Sequence, residues 1–356
     1  MRVAIEAASL SLSSGGLARY TAELSKALAQ GYPEDEFFLI SDQPFRMPAA
    51  APPNLKHGGG PRTVPERRWW LWGLSREARR LRADLIHGPD FSVPYLARHP
   101  SVLTLHDLSP WMERGWHHAA DRVRRRVPML LKLGIPTMII TPSETVRRQA
   151  MERFGIAADR IVAVPEAAAP WLRPVKTPRP VETPLLQPYF VFVGTWEPRK
   201  NLPALIEAWR EVRKDCAVEL LIAGRRRPDG PELREEPGMR LLGEVSDERL
   251  AELYSGALAL VYPTLYEGFG LPVVEAMQCG ACVIASSAVR EAGGEAAVYA
   301  DTPADLAAAM RQAASQPCWL AERRHASLAR ARAFSWERTA RLTYHVYQEA
   351  LKRFGR

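Results

Sequence analysis

ALALVYPTLYEGFGLPVVEAMQCGACVIAS, residues 257–286, reads as a strand, a glycine-bearing turn, a helix and a second strand. ALALVYP (257–263) and CVIAS (282–286) are near-continuous apolar runs, the pattern of parallel strands covered on both faces. EGFG (267–270) forms the turn, and Pro272 suits the first turn of a helix, where its missing N–H costs nothing. Such strand–helix–strand units close right-handedly into doubly wound sheets. The alternation continues outward. YFVFVG (189–194), VELLIAG (218–224) and MRLLG (239–243) are further strands of this half, with amphipathic helices at 201–213 and 246–256. The first half repeats the logic with VAIEA (3–7), FFLIS (37–41), DLIHG (84–88), SVLTLH (101–106), TMIIT (137–141) and RIVAV (160–164), and with helical patterns at 17–30 and 143–155.

Between the halves lies VPEAAAPWLRPVKTPRPVETPLLQP (164–188), whose seven prolines forbid a continuous helix or central strand. The expected class is α/β, with two doubly wound parallel-sheet (Rossmann-like) domains facing a cleft at their strand carboxyl ends. The expected divisions are an N-terminal domain over 1–172, a Pro-rich linker over 173–188, a C-terminal domain over 189–334 and a C-terminal helix over 335–356 that packs against either domain, the first being preferred. Residues 44–65, also rich in proline, read as a long surface loop.

Composition narrows the function. Of 356 residues, 47% are apolar and 25% charged, which excludes disorder over most of the length. Four cysteines make no disulfide framework, so a reducing, cytoplasmic compartment is expected. No run of about 18 apolar residues is present to span a membrane, and MRVAIEAASL is too short for a secretory h-region. The net charge of +8 is one-sided: residues 1–180 carry 26 basic and 17 acidic side chains, against 22 and 23 in the remainder. A basic first half implies an anionic partner, whether nucleic acid, phosphate-bearing ligand or acidic membrane face. The Trp- and Arg-rich stretches 66–82 and 111–134 suit peripheral contact with a membrane, or else ordinary helices with Trp inside and Arg in solvent.

Three loops carry candidate chemistry. In SLSLSSGGLARY (9–20), Gly15 and Gly16 precede a helix whose free N–H groups suit an anion. In VGTWEPRKN (193–201), Thr195 follows the strand-end glycine, and Arg199 and Lys200 stand before the next helix, a placement that suits a diphosphate. In the opening stretch, Gly268, Phe269 and Gly270 offer backbone amides, while Glu267 and Glu275 can each accept two hydrogen bonds from vicinal hydroxyls of a ribose or hexose. His106 and Asp107 follow a strand, and His87 and Asp90, in HGPDFSVP, are evenly balanced between a functional and a structural role. His117-His118 has no companion ligands at metal spacing, and Cys279-Gly-Ala-Cys282 reads as packing at a helix-to-strand turn.

EGFGLPVVEAMQCG resembles the signature of family 4 glycosyltransferases, retaining enzymes of the GT-B fold. FVGTWEPRKNLPALIEAW, LLIAG, LLGEVSDERLAELYSGA and FSWERTA match that family's order, and SGGLARYTAELSKAL, HGPDFSVP, LTLHDLSP and IITPSETVRRQ resemble its bacterial mannosyltransferase-like branch. The resemblance implies a nucleotide-sugar as co-substrate, with GDP-mannose favoured, no further cofactor and no metal. Glu275 would bind the ribose, Glu267 the sugar hydroxyls, and the amides of Gly268 to Leu271 the sugar and phosphates. Arg199 and Lys200 would neutralise the departing diphosphate, Gly16 would approach it, and His106 would lie near the anomeric carbon. The acceptor would be a glycan, a lipid-linked molecule or a small molecule, with no nucleic acid involved.

Two features depart from the family pattern. Thr195 stands where many members carry Arg, and Glu166-Ala167-Ala168 replaces an Asn-Gly motif. The alternatives are a GT-B-fold sugar-nucleotide epimerase or phosphorylase, and a basic nucleic-acid or membrane-surface binding module.

Overall fold

The computed structural model describes residues 1–11, 15–91, 93–117, 120–176, 187–228 and 230–355. The expected linker falls largely on 177–186, outside the described residues, as do residues 12–14 of the first glycine loop and His118. The chain divides into two compact units, one formed by Met1–Met112, Ala119–Glu166 and Ser335–Arg356, the other by Glu113–His118 and Ala167–Phe334.

Among the described residues the first unit holds seven strands: β1 (Arg2–Glu6), β2 (Glu36–Ile40), β3 (Leu55–Gly59), β4 (Leu85–Gly88), β5 (Ser101–Thr104), β6 (Met138–Thr141) and β7 (Ile161–Ala163). They pair in parallel in the order β3-β2-β1-β4-β5-β6-β7. The order reverses between β1 and β4, the kind of position where ligands enter such sheets. β3 crosses the stretch read as a loop. Its sequence, LKHGG, has little strand propensity and an exposed pair in the middle. Backbone pairing to β2 from Phe37↔Leu55 onward makes it an edge strand regardless.

The final helix, Trp336–Arg353, belongs to this unit. The Ser335 hydroxyl caps it by accepting from the Arg338 amide. Its buried face carries Trp336, Thr339, Thr343, Val346 and Tyr347. Thr339 donates to the Pro165 carbonyl at 2.7 Å, and Tyr344 stacks on Tyr32.

The second unit holds β8 (Tyr189–Val193), β9 (Glu219–Ala223), β10 (Met239–Gly243), β11 (Ala259–Tyr262), β12 (Cys282–Ala285) and β13 (Val298–Tyr299). These strands are also all parallel, in the order β10-β9-β8-β11-β12-β13, and the order reverses between β8 and β11. Phe190, Phe192, Trp209, Tyr254 and Tyr262 fill its core. β13 spans two residues, too few for any sequence period to reveal. Both sheets are therefore doubly wound and parallel, the expected fold class.

In the Trp- and Arg-rich stretch 66–82, tryptophan packs inward. Trp69 is buried, and Trp70 and Trp72 are half-buried beneath Arg126 and Arg98. No helix among the described residues is long and apolar enough to cross a membrane.

Candidate active site

The second unit gathers three of the candidate residues at the carboxyl ends of β8 and β11. Pro198–Lys200 forms a short 3-10 turn, and Asn201, in the left-handed region at φ 53°, separates it from the helix Leu202–Val212. That step leaves Lys200 turned inward and 6% exposed. Its ammonium donates to Glu267 Oε1 and, at 2.5 Å, to the Tyr262 hydroxyl, and it sits 4.9 Å from the centre of the Tyr262 ring. Arg199 Nη1 lies 3.0 Å from the same Glu267 oxygen and donates to the Tyr266 carbonyl at 2.9 Å. The Tyr262 hydroxyl donates to Glu267 Oε1 at 3.0 Å, and Thr264 Oγ1 lies 3.2 Å from it.

Burial works to raise the Glu267 carboxyl, but Arg199 and Lys200 overcome it and hold the group down at about 2. Burial and the neighbouring Arg199 charge lower Lys200, against the pull of Glu267. Burial and the Glu267 charge push the Tyr262 hydroxyl well up, so it stays a donor. All the described hydrogen bonds and ion pairs of the Glu267 carboxylate fall on Oε1.

Glu197 extends this row. Its Oε1 pairs with Arg199 Nη2 at 2.8 Å, and its Oε2 accepts from Arg227 Nη1 at 2.5 Å. Thr195 is half-buried just after β8.

The glycine turn requires its glycine. Gly270 sits at φ 97°, and a Cβ there would lie 2.8 Å from Val289 Cγ1. The helix Leu271–Gln278 starts immediately after it. Phe269 is buried and packs its ring edge-on to Phe334, which commits the side chain to the core. Glu275, 2% exposed, lies on that helix and accepts from the Tyr254 hydroxyl at 3.2 Å.

In the first unit, His106 follows β5. Its Nε2 lies 2.6 Å from the Pro89 carbonyl, its Nδ1 lies 3.0 Å from Glu166 Oε1, and Tyr20 packs edge-on to the ring. Both nitrogens face acceptors, an arrangement that only the imidazolium satisfies with two N–H groups. Burial opposes that charge, but Glu166, Asp90 and the Pro89 carbonyl outweigh it and raise the imidazole above its usual range. Glu166, noted in the sequence only as a departure from a motif, thus holds the ring in place.

His87 behaves in the opposite way. Its Nε2 lies 2.9 Å from Thr104 Oγ1 and its Nδ1 2.6 Å from the Tyr347 hydroxyl, and burial pushes it down to about 3. It is a neutral histidine joining the final helix to the sheet. Asp107 accepts from the Ser109 amide and hydroxyl, a local turn bond. Gly15, at φ 121°, precedes the helix Gly16–Gly31.

Sequence reasoning did not find Glu197, Arg227, Tyr254 or Tyr262 as site residues. Tyr262, the last residue of a strand beside the order reversal, offered the one positional signal. Cys279 and Cys282 are free and buried, and burial pushes both thiols up to about 12, in keeping with packing.

Two family models match the chain: Glycosyltransferase Family 4 over residues 14–168 and Glycosyl transferases group 1 over residues 187–316. The O-antigen chain mannosyltransferase B of Escherichia coli is 33% identical over 300 residues, which cover 78% of this chain and 76% of that protein. The chain belongs to glycosyltransferase family 4. A second relative of this glycosyltransferase, the serotype-specific mannosyltransferase WbdA of Escherichia coli, is 26% identical over 278 residues, and the match covers 71% of this chain but only 34% of that longer protein. Among solved structures, sucrose-phosphate synthase from Thermosynechococcus elongatus superposes with TM-score 0.75 at 20% identity, covering 99% of both chains. HepE from Anabaena in complex with UDP-glucose gives TM-score 0.71 at 16% identity, covering 98% of this chain and 99% of that one. The glycosyltransferase therefore shares the fold of these enzymes.

Proposed function

We propose that this glycosyltransferase moves mannose from GDP-mannose to a glycan, lipid-linked or small-molecule acceptor, with retention at the anomeric carbon and without a dedicated metal. The observation that carries this reading is the row Lys200–Glu267–Arg199 at the order reversal of the second sheet. Its relatives, an O-antigen chain mannosyltransferase and a serotype-specific mannosyltransferase, favour mannose, and the UDP-glucose held by HepE supports a nucleotide-sugar donor.

Sugar transfer breaks the bond between the anomeric carbon and a diphosphate oxygen. Negative charge grows on that oxygen, so fixed cations beside it lower the barrier. Arg199 and Lys200 are already oriented by Glu267, Glu197 and Tyr262 and need little reorganisation. Glu267 Oε2 is the carboxylate oxygen left to accept from sugar hydroxyls. Glu275, oriented by Tyr254, accepts from the ribose. Amides at the Gly268–Leu271 turn complete the donor side. The first unit binds the acceptor, with the His106 imidazolium held by Glu166 as a polar group of that unit's own site.

The reading includes peripheral contact with an anionic membrane face. Arg122, Arg125, Met129, Lys132 and Leu133 are exposed along and just beyond the helix Asp121–Lys132, and they lie in the basic half of the chain.

The test is a panel of GDP-, UDP-, ADP- and dTDP-sugars read by mass spectrometry for donor hydrolysis, with and without a chelator. Consumption of GDP-mannose ahead of the others, undiminished by chelation, is expected. Indifference to the whole panel would overturn the reading. The anomeric configuration of the product, read by NMR, decides retention.

A further inference from the structure

We propose that Arg227 is a third cation of the diphosphate site, supplying a charge that Thr195 cannot carry. The inference rests on the nucleotide-sugar reading above and adds a residue to that site.

Its backbone comes first. Beyond β8 and β9 the two loops continue side by side. The Gly194 amide donates to the Ala223 carbonyl at 3.0 Å, the Trp196 amide to the Arg225 carbonyl at 2.9 Å, and the Arg227 amide to the Trp196 carbonyl at 3.3 Å. The approach is so close that a Cβ on Gly224 would lie 2.0 Å from the Gly194 oxygen, and one on Gly230 the same distance from the Trp196 oxygen. No side chain fits at either place, so Arg227 is carried on a strand extension locked to the loop that bears Thr195.

The side chain comes second. Glu197 holds two guanidiniums, Arg199 through one oxygen and Arg227 through the other. Lys200, Arg199 and Arg227 thus stand against Glu197 and Glu267, three cations to two carboxylates, leaving one positive charge in excess among the five. Lys200 is almost wholly enclosed, whereas the Arg227 side chain is 23% exposed, the most of the three cations. Its second nitrogen donates to a neutral acceptor, the Trp116 carbonyl at 3.2 Å, and its first also lies 3.3 Å from His117 Nδ1. A phosphate oxygen is a stronger partner for a guanidinium than a carbonyl is. A diphosphate therefore displaces the Trp116 carbonyl, while Glu197 keeps the arginine aimed.

The experiment is isothermal titration of the full chain with GDP, UDP, ADP and dTDP and with the matching monophosphates. The base that binds best is carried into Arg227→Gln and Arg227→Lys. Arg227→Gln is expected to weaken the diphosphate about tenfold or more, since a charge-assisted bond is lost, and the monophosphate much less. The preference for diphosphate over monophosphate then shrinks. Arg227→Lys, which keeps the charge without the fork, is expected to show a smaller loss of the same preference. A ratio equal to that of the unaltered chain in either variant overturns the proposal alone, and a purely structural ion pair predicts that result. If the unaltered chain binds no nucleoside diphosphate at all, the functional reading falls and this proposal falls with it.

Discussion

Arg199 Nη1 and Glu267 Oε1 stand 3.0 Å apart, in a pair that is almost wholly enclosed and that also takes the Lys200 ammonium. Removing one partner of a buried pair strands the other's charge, at a typical cost of about 3–5 kcal/mol. Here Arg199 keeps Glu197, so the expected loss for Glu267→Gln is at the lower end of that range. Its donor turnover is expected to fall about 100-fold, because the cations lose the orientation that the leaving group needs. Differential scanning calorimetry and a donor-consumption assay check the two effects. The folded carboxyl sits at about 2, below its usual 4.5, so this contribution to stability is complete above pH 4.5 and is lost as pH falls toward 2.

Glu275 accepts from the Tyr254 hydroxyl, and the two lie on neighbouring helices of one unit. Glu275→Ala is expected to raise the dissociation constant for the nucleotide by about 10-fold to 100-fold, the worth of a charged acceptor. Tyr254→Phe, which leaves the carboxylate in place but less constrained, is expected to cost only a few-fold (roughly 1 kcal/mol). Titration calorimetry ranks the two, and unchanged donor affinity in Glu275→Ala removes that residue from the site.

His106 owes its raised basicity to Glu166 more than to Asp90 or the Pro89 carbonyl. Replacing the carboxylate in Glu166→Gln moves the alkaline limb of the pH–turnover profile to lower pH. The stability that the charged ring contributes is full below its unfolded value near 6.5 and is lost as pH rises through the raised folded value. In Glu166→Gln this contribution is smaller and its loss is complete at lower pH. A profile that stays in place separates His106 from the chemistry.

Glu6 ends β1 beside the order reversal of the first sheet. Burial, offset only in part by the Ala8 amide, pushes its carboxyl up to about 8. An acid raised in the folded state loses stability as pH climbs, here between about 4.5 and 8. Glu6→Gln is expected to be more stable than the unaltered chain at pH 9, by a few kcal/mol at most (about 1.4 for each pKa unit), and to match it near pH 4. Denaturant midpoints at the two pH values check the crossover.

The parallel strands were legible wherever they were apolar and internal. TMIIT and YFVFVG needed no tertiary information, because burial on both faces demands continuous apolar side chains. LKHGG and the two residues of β13 were not legible, since an edge strand is held by backbone bonds to its neighbour and leaves little trace in side-chain pattern. The Glu267–Gly270 turn and the Arg199-Lys200 pair stood out because their residue types are bound to local geometry. Glu197 passed unnoticed because a glutamate beside two basic residues reads as an ordinary surface charge until two arginines from different loops converge on it.

The sequence alone determined the α/β class, the two sheets and the family, since alternation of strand and helix and the order of motifs are properties of the chain taken locally. The ionisation states were left to tertiary structure. His87 and His106 are both histidines at strand ends, yet one is pushed down to about 3 and the other raised. What separates them is whether a hydroxyl or a carboxylate lies within 3 Å of the ring. The partner comes from sequence positions 60 residues away for His106 and 17 and 260 residues away for His87, and only folding brings such distant groups together.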